Sequence, residues 1–411
     1  MQTSSLWQSG SRAVVGSGEP PREADFVVVG AGLLGAMCAY WLARAGSSVV
    51  VVERHAVAWG ATGRNSGLVI PTTAEAYDQA VLRLGAPTAM AIRQLAAEGA
   101  GLLGQVVEEE HLTAEYRPGV FLQLATGEED AASCLADIEA TRRHGFEAAW
   151  LDRDQLQPRI GTRLSDTIPG AMMLPGATVN SVALVDGVAA AAQRHGAIIC
   201  TGVAVEAIRA IGGGKVSVET SHGNITARIV VAAVNAWLSE LFPLLGKVIR
   251  PVQGQLIATQ PMPAMFDCGM AAQVTAHGEY WQQMPDGTIL LGGCRSVGAP
   301  VTDATAQVPQ PEVHQALQGI LPSLFPDLTE IGVQRGWAGA MAFTPDWIPI
   351  VDEIDESLWA VGGFSGHGMP FGASIGKLLA AHLTGGSPLA NLTHLRLDRP
   401  TLPDPEAEQL R

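Results

Sequence analysis

The chain has 411 residues, long for one hydrophobic core, so two packed domains are its natural organisation. With 40 Asp and Glu against 25 Lys and Arg its formal charge is −15, which argues against nucleic acid or an anionic membrane as partner and favours the approach of cationic small molecules. The five cysteines (Cys38, Cys134, Cys200, Cys268 and Cys294) are scattered and include no C-x-x-C pair, which fits reduced thiols in a cytoplasmic protein and leaves no zinc or cluster site to expect.

Residues 1–22 read as a polar lead-in with neither the charged start nor the apolar core of a secretion signal; Trp7 is their one candidate anchor. Phe26 to Val29 then has the length and β-branched content of a strand buried on both faces, and it runs into Gly30, Gly32 and Gly35 with G-x-G-x-x-G spacing. Leu33 to Ala45 reads as a helix closed by Gly46, and Ser48 to Val52 as a second buried strand ending in Glu53. In this arrangement Gly30 permits the tight turn, Gly32 lets a pyrophosphate approach the backbone, and Gly35 lets the helix pack on the strand. The helix N-terminus faces the phosphates and Glu53 accepts from a ribose diol. Glycine-rich turns also join strands and helices in proteins that bind nothing, so the surrounding strand–helix–strand–acid pattern is what gives the motif its weight.

Beyond Glu53, the small residues from Gly60 to Gly67 cannot build a core, and Arg64 and Asn65 offer donors beside flexible backbone. Thr73 to Glu109 has the spacing of two helices, Tyr116 to Leu124 of a strand, Glu128 to His144 and Ser181 to His195 of helices. Strand patterns recur at Gly170–Leu174, Ala197–Cys200, Val203–Ile208, Lys215–Thr220 and Ala227–Val234. The apolar stretch from Ile229 to Leu245 is broken by Asn235, Ser239, Glu240 and Pro243, so no membrane span is expected. From Val248 to Leu291 strands dominate, with Asp286-Gly287 as a hairpin turn, and adjacent Tyr280 and Trp281 must face opposite sides of their strand. Pro309 to Leu321 is a helix and Val333 to Pro349 a strand entering a proline-bounded turn. A last glycine loop, GGFSGHGMPFG, leads into an apolar helix near Ala373, a second helix N-terminus reached through glycines. These elements predict an α/β fold: a discontinuous Rossmann-like domain from 23–85, 155–235 and 335–390, a mostly antiparallel α+β substrate domain from 86–154 and 236–334, and a tail at 391–411.

Taken together, DFVVVGAGLLG with its ER, GATGRNSGLV, VVAAVNAWL, IRPVQGQLIAT, DGTILLGG, WAGAMAFTPDWIPIV and GGFSGHGMPFG resemble the D-amino-acid oxidase superfamily of FAD-dependent amine oxidoreductases, from about Asp25 to Gly386. NAWLSEL, IATQP and FSGHG are most similar to its γ-glutamylputrescine oxidase branch. The resemblance implies that Gly30, Gly32, Gly35, Glu53 and Arg54 bind the ADP half of FAD, with Val205 contacting it through its backbone. Thr62, Gly63, Arg64, Asn65 and Gly67 would follow the pyrophosphate and the flavin edge, and Gly363, Gly366, His367, Gly368 and Met369 the isoalloxazine. Leu33, Leu34, Ser66, Leu68, Asn235 and Trp237 complete the implied set.

The departures from the family bear on substrate. Met341 stands where amino-acid-using members carry a carboxylate-binding arginine, and Gln282 where a second arginine is common, leaving Arg64 or Arg250 as replacements. Without such a partner a buried carboxylate costs about 3–5 kcal/mol, which favours an amine whose charge lies away from the reacting carbon. The expected reaction is C–N oxidation to an imine that hydrolyses, in a pocket of Leu68, Tyr280, Trp281, Gln282, Trp337, Met341 and Phe371, with His367 as the one local side chain able to assist. No Cys lies in the C-terminal loop and neither Cys nor His in RNSG, so FAD is expected to be non-covalent. Oxygen or an electron-transfer partner is the acceptor. The alternatives are a D-amino-acid, glycine/sarcosine or N-methyl amino acid oxidase or dehydrogenase, a flavin subunit of a hetero-oligomer, and a nicotinamide-binding protein.

Overall fold

The computed structural model describes residues 4–10, 16, 18–386 and 389–402. Residues 1–3, 11–15 and 17 of the expected N-terminal extension, 387–388 of the expected nucleotide domain and 403–411 of the expected tail lie outside the described residues. The chain opens with β1 (Glu23–Val29), α1 (Leu33–Arg44) and β2 (Val49–Glu53), the strand–turn–helix–strand unit that the valine runs and the glycine turn dictate. There follow β3 (Leu68–Val69), α2 (Tyr77–Leu84), α3 (Ala86–Glu109), β4 (Arg117–Leu124), α4 (Glu128–Arg143), β5 (Ala149–Asp152) and α5 (Arg153–Leu156). The middle of the chain holds β6 (Gly170–Thr178), α6 (Ser181–Arg194), β7 (Ile198–Thr201), β8 (Val205–Gly212), β9 (Lys215–Thr220), β10 (Gly223–Ala232) and α7 (Leu238–Leu241). The remainder is β11 (Arg250–Thr259), β12 (Gly269–Ala272), β13 (Glu279–Gln283), β14 (Ile289–Gly292), α8 (Pro311–Leu324), β15 (Val333–Phe343), β16 (Ile350–Asp355), β17 (Leu358–Gly362) and α9 (Gly368–Leu383).

Two sheets organise these elements. The first has the order β16-β17-β10-β1-β2-β7, with the β8–β9 hairpin attached to β10. Its strands β17, β10, β1, β2 and β7 are parallel neighbours, which requires cover on both faces and explains the unbroken valines. Helices α1, α3, α6 and α9 cover one face through residues such as Met37, Leu103, Val185 and Ile375, while Val216 and Val218 of the hairpin cover the other. This is the expected Rossmann-like α/β architecture.

The second sheet runs β15-β11-β14-β13-β12-β4-β6-β3, with β5 on β6, and its neighbours are antiparallel except for β12 beside β4. Helix α8 packs Leu317 and Leu321 beneath it, against Trp281 and Phe325. The hairpin turn forms at Asp286-Gly287, where Gly287 has φ +89 and the Asp286 carboxylate accepts from the Thr288 N–H at 2.9 Å.

The domain boundaries differ from those read in the sequence. Strands β3, β6 and β15 join the second sheet: β6 pairs with β4 along its whole length, from Arg117↔Thr178 to Leu124↔Ala171, and β15 with β11 from Arg250↔Phe343. Helix α3, assigned by sequence to the substrate domain, instead places Leu95, Leu103 and Val106 in the core shared by α1 and α9. Strand periodicity identifies a strand but not the sheet it joins. Near the end of the described chain, Arg399 returns to pair in bidentate fashion with buried Asp346 (2.7 and 2.9 Å) and donates to the Ile348 and Pro349 carbonyls, pinning the turn after β15.

The α3–α9 contact depends on one glycine. A Cβ at Gly99 would stand 1.9 Å from the Pro370 carbonyl oxygen, which belongs to backbone and cannot step aside. Gly99→Ala is therefore expected to lose about 1–3 kcal/mol of stability despite its better helix propensity. Chemical denaturation measures this, and an unchanged midpoint contradicts the packing argument.

Candidate active site

A cavity of about 1300 Å³ runs from the turn between β1 and α1 to the face of the second sheet. At its first end the three glycines have separate duties. Gly30 has φ +101, Gly35 packs so that a Cβ would fall 2.0 Å from the Gly30 carbonyl, and a Cβ on Gly32 would meet only Thr62 Oγ1 at 3.3 Å. Helix α1 has no side-chain cap at Gly32, so its first-turn N–H groups open toward the cavity; that of Leu33 donates to Thr62 Oγ1 at 3.2 Å. Glu53 accepts from the Ala31 N–H and the His55 N–H, both at 2.9 Å. Burial raises its pKa and those two bonds pull it back.

Beside Glu53 the wall is aromatic. His55 stacks on Trp59 with centroids 3.9 Å apart, Trp59 lies 6.2 Å from Trp237, and the Arg54 guanidinium sits 5.9 Å over Trp237. Val205, Asn235 and Leu34 line the same end. His55 and Trp59 were absent from the sequence reading; the tryptophan flanking Gly60 was the available signal.

The loop 58–67 forms one side of the cavity and is fixed from behind. Arg64 is buried, its Nη1 donates to the Ala338 carbonyl at 2.9 Å and its Nε to the Trp59 carbonyl at 3.3 Å, and burial lowers its pKa to about 10. These bonds engage the guanidinium with backbone carbonyls, and exposed Arg250 lies outside the cavity wall. Asn65 ties three elements together: Oδ1 accepts from the Ser181 hydroxyl at 2.6 Å and the Gly67 N–H at 2.9 Å, while Nδ2 meets Met369 Sδ at 3.3 Å. Thr62, Arg64, Asn65, Ser66 and Leu68 line the cavity, whereas Gly63, Gly67 (φ +74) and Gly363 (φ +76) are backbone positions packed against protein.

Gly366, His367, Gly368 and Met369 meet the cavity at the N-terminus of α9, which also has no side-chain cap. The Gly363 N–H is held by Asn235 Oδ1 at 3.1 Å. Burial lowers the His367 pKa to about 4, the Arg93 charge adds to this, and Nδ1 is sealed without a hydrogen-bond partner among the described residues.

At the far end the wall includes Leu68, Tyr280, Met341 and Phe343. Four of the seven pocket residues expected from sequence lie elsewhere. Trp281 points through the sheet into an aromatic cluster with Phe266 and Phe325, as its alternation with Tyr280 requires. Gln282 is on the face of Tyr280, but its amide donates to the Ser66 carbonyl and accepts from Arg117 at 3.1 Å, which buries it behind the loop. Trp337 shares a face with Met341, yet the Arg64 loop covers it and accepts its indole N–H at 2.9 Å. Phe371 turns away into the core between α9 and the first sheet.

Two cations in the wall were not anticipated. The Arg295 guanidinium stands 4.9 Å over Phe343 and Arg93 lies between the rings of Tyr77 and Phe146 (5.7 and 5.6 Å). Burial lowers both pKa values; the charge of Asp137 opposes this at Arg93, and neither guanidinium is hydrogen-bonded to a carboxylate among the described residues. The signal for Arg295 was its place just after the Gly292-Gly293 strand end. Cys134 also reaches the wall, but burial and the nearby Asp130 and Asp137 charges push its thiol up to about 12.

Residues 25–382 match the family described as FAD dependent oxidoreductase, DAO. A probable oxidoreductase OrdL of Rhizobium meliloti is 27% identical over 89% of this chain and 84% of its own, and the γ-glutamylputrescine oxidoreductase of Escherichia coli 26% over 90% and 87%. The glycine oxidase of Geobacillus kaustophilus superposes with a TM-score of 0.79 at 20% identity, covering 92% of this chain and 99% of its own, which establishes the shared fold. No helix among the described residues is long and apolar enough to cross a membrane. The uncapped helix N-termini, the open space beside Gly32 and the cavity-lining acid Glu53 fit a dinucleotide cofactor of the FAD type. The chain belongs to the FAD-dependent oxidoreductase family DAO and is an enzyme acting on amines or amino acids.

Proposed function

We propose that the chain oxidises a C–N bond of an amine that carries an anionic group remote from the reacting carbon, as a γ-glutamyl amide of a diamine does. The observation that carries this reading is Arg295, a half-buried guanidinium in the cavity wall with no carboxylate hydrogen-bonded to it among the described residues. A buried cation is stabilised by a counter-ion, and a substrate carboxylate supplies one. Met341, where an arginine would hold an α-carboxylate beside the reaction centre, offers only a thioether.

In this reading Gly30, Gly32, Glu53 and the N-terminus of α1 would hold the ADP half of FAD, with Val205, Trp59 and Trp237 lining the same end. Thr62, Arg64, Asn65 and Ser66 would follow the pyrophosphate, and Gly366 to Met369 would meet the flavin. The flavin, non-covalently bound, supplies a two-electron acceptor for the hydride that leaves the amine-bearing carbon. The substrate nitrogen must arrive unprotonated, because its lone pair forms the imine as the hydride departs. Desolvation by Tyr280, Met341 and Phe343 lowers the ammonium pKa, and the proton leaves to solvent. An imidazole held at about 4 is a poor proton store at neutral pH, so His367 acts as an uncharged wall that keeps a second positive charge away from the amine. Water then adds to the imine, releasing the carbonyl compound and the amine.

A second reading rests on Arg93, whose charge is felt at His367: an α-amino acid whose carboxylate pairs with Arg93. Substitution separates the two. Arg295→Met is expected to raise KM about a hundredfold for an amine with a remote carboxylate, the loss of a charge pair of ~3 kcal/mol, with kcat little changed. Arg93→Met should leave that KM within about threefold; the reverse pattern, with α-amino acids as the better substrates, favours the second reading.

The state of His367 is separately measurable. Its folded pKa lies below the usual 6.5, so the unfolded chain binds the proton more tightly, and the stability of the neutral ring is full above pH 6.5 and lost as pH falls toward 4. Imidazole resonances followed by NMR should titrate near pH 4. A midpoint near 6.5 contradicts the uncharged wall.

A further inference from the structure

Of the hydrogen bonds that residues 4–9 make beyond their own segment, most reach the loop 58–67. Ser5 is fully buried and Trp7 is 6% exposed, in a stretch of otherwise polar sequence. The Ser5 hydroxyl donates to the Gly63 carbonyl at 2.5 Å, the Trp7 indole N–H to the Asn65 carbonyl at 2.8 Å, and Gln8 Nε2 to the carbonyls of Trp59 and Ala58 at 2.7 and 3.2 Å. Ser4 accepts from Arg335 Nη1 at 3.2 Å, fastening the segment to β15. A Cβ on Gly67 would approach the Trp7 ring at 3.3 Å, so the indole also seals the end of the loop.

The consequence follows from peptide geometry. In a planar trans peptide the carbonyl of one residue and the N–H of the next point in opposite directions. Holding the carbonyls of Trp59, Gly63 and Asn65 outward therefore turns the N–H groups of Gly60, Arg64 and Ser66 the other way, and all three residues line the cavity. The Gly60 and Ser66 N–H groups donate to nothing among the described residues. Inward N–H groups of a glycine-containing loop are donors for the phosphate oxygens of a dinucleotide.

We infer that the Ser5–Trp7–Gln8 segment is a strap that sets the loop 58–67 in its FAD-binding conformation, with Trp7 and Gln8 as positioning residues for the cofactor. The segment touches the loop from outside, so it acts through the peptide planes and not by contact with FAD. The inference rests on the loop lying against FAD as proposed above.

The test compares the full chain with Trp7→Phe, Gln8→Ala and a chain lacking residues 1–10, each stripped of flavin and titrated with FAD by fluorescence quenching. Trp7→Phe keeps the packing and loses one hydrogen bond, so an FAD Kd about tenfold weaker is expected, and about a hundredfold or more for the shortened chain. At saturating FAD the variants should recover the visible spectrum of the full chain, because the flavin surroundings are unchanged. Hydrogen exchange in the apoprotein should be faster in 58–67 of Trp7→Phe and unaltered in β1 and β10. FAD affinity within twofold of the full chain for the shortened protein, or unchanged exchange in the loop of Trp7→Phe, overturns the strap. If the shortened chain does not fold, the exchange and affinity of Trp7→Phe decide alone. Failure of the full chain itself to bind FAD refutes the cofactor assignment instead.

Discussion

The loop 58–67 has almost no core of its own, and everything around the cavity depends on its carbonyls being held by other elements. Trp337 takes the carbonyl of Arg64, Gln282 that of Ser66, and the Arg64 side chain reaches back to Ala338 in β15. Each of these partners belongs to the second sheet, while the loop itself leaves the first sheet at Glu53. The hydrogen bonds of one short loop thus join the two sheets at the point where the cavity passes between them. A buried backbone carbonyl left without a donor costs about 1–3 kcal/mol, so the arrangement is strongly constrained. Large polar and aromatic side chains that would otherwise line a pocket are used to satisfy it.

The cavity wall carries acids, among them Glu53, Asp137 and Glu279, as well as cations. A chain of formal charge −15 keeps Arg93 and Arg295 in the cavity wall over aromatic rings, with no hydrogen-bonded carboxylate on either among the described residues. In the proposed reading the acidic exterior favours the approach of a cationic amine, and Arg295 pairs with the anionic group of the bound substrate. A molecule with an amine at one end and a carboxylate at the other satisfies both fields in a single orientation. In the same reading an uncharged His367 adds no further positive charge near α9.

The legible part of the sequence was the part governed by local rules. Valine runs, the G-x-G-x-x-G turn, Glu53 and the Asp286-Gly287 hairpin are local consequences of backbone geometry, and they are found where expected. The pocket was less legible, because alternation on a strand states which face a residue takes but not what covers that face. Tyr280, Gln282, Trp337 and Met341 share one face of the second sheet, and only Tyr280 and Met341 meet the cavity. Arg93, distant in sequence from every motif, gave no local signal. Ser5 and Gln8 were equally silent, and Trp7 stood out as an anchor without any sign of what it holds, since the partners of all three lie fifty or more residues away.

The most direct test of the account is an anaerobic titration of the purified holoprotein, following the flavin band near ~450 nm with primary amines, N-methyl amines and D-amino acids in turn. Bleaching by a primary amine with a remote carboxylate, and not by α-amino acids, is the predicted result. Bleaching by α-amino acids alone contradicts the assignment of Arg295 and Met341, and absence of the band after reconstitution with FAD contradicts the reading of the cavity as a flavin site.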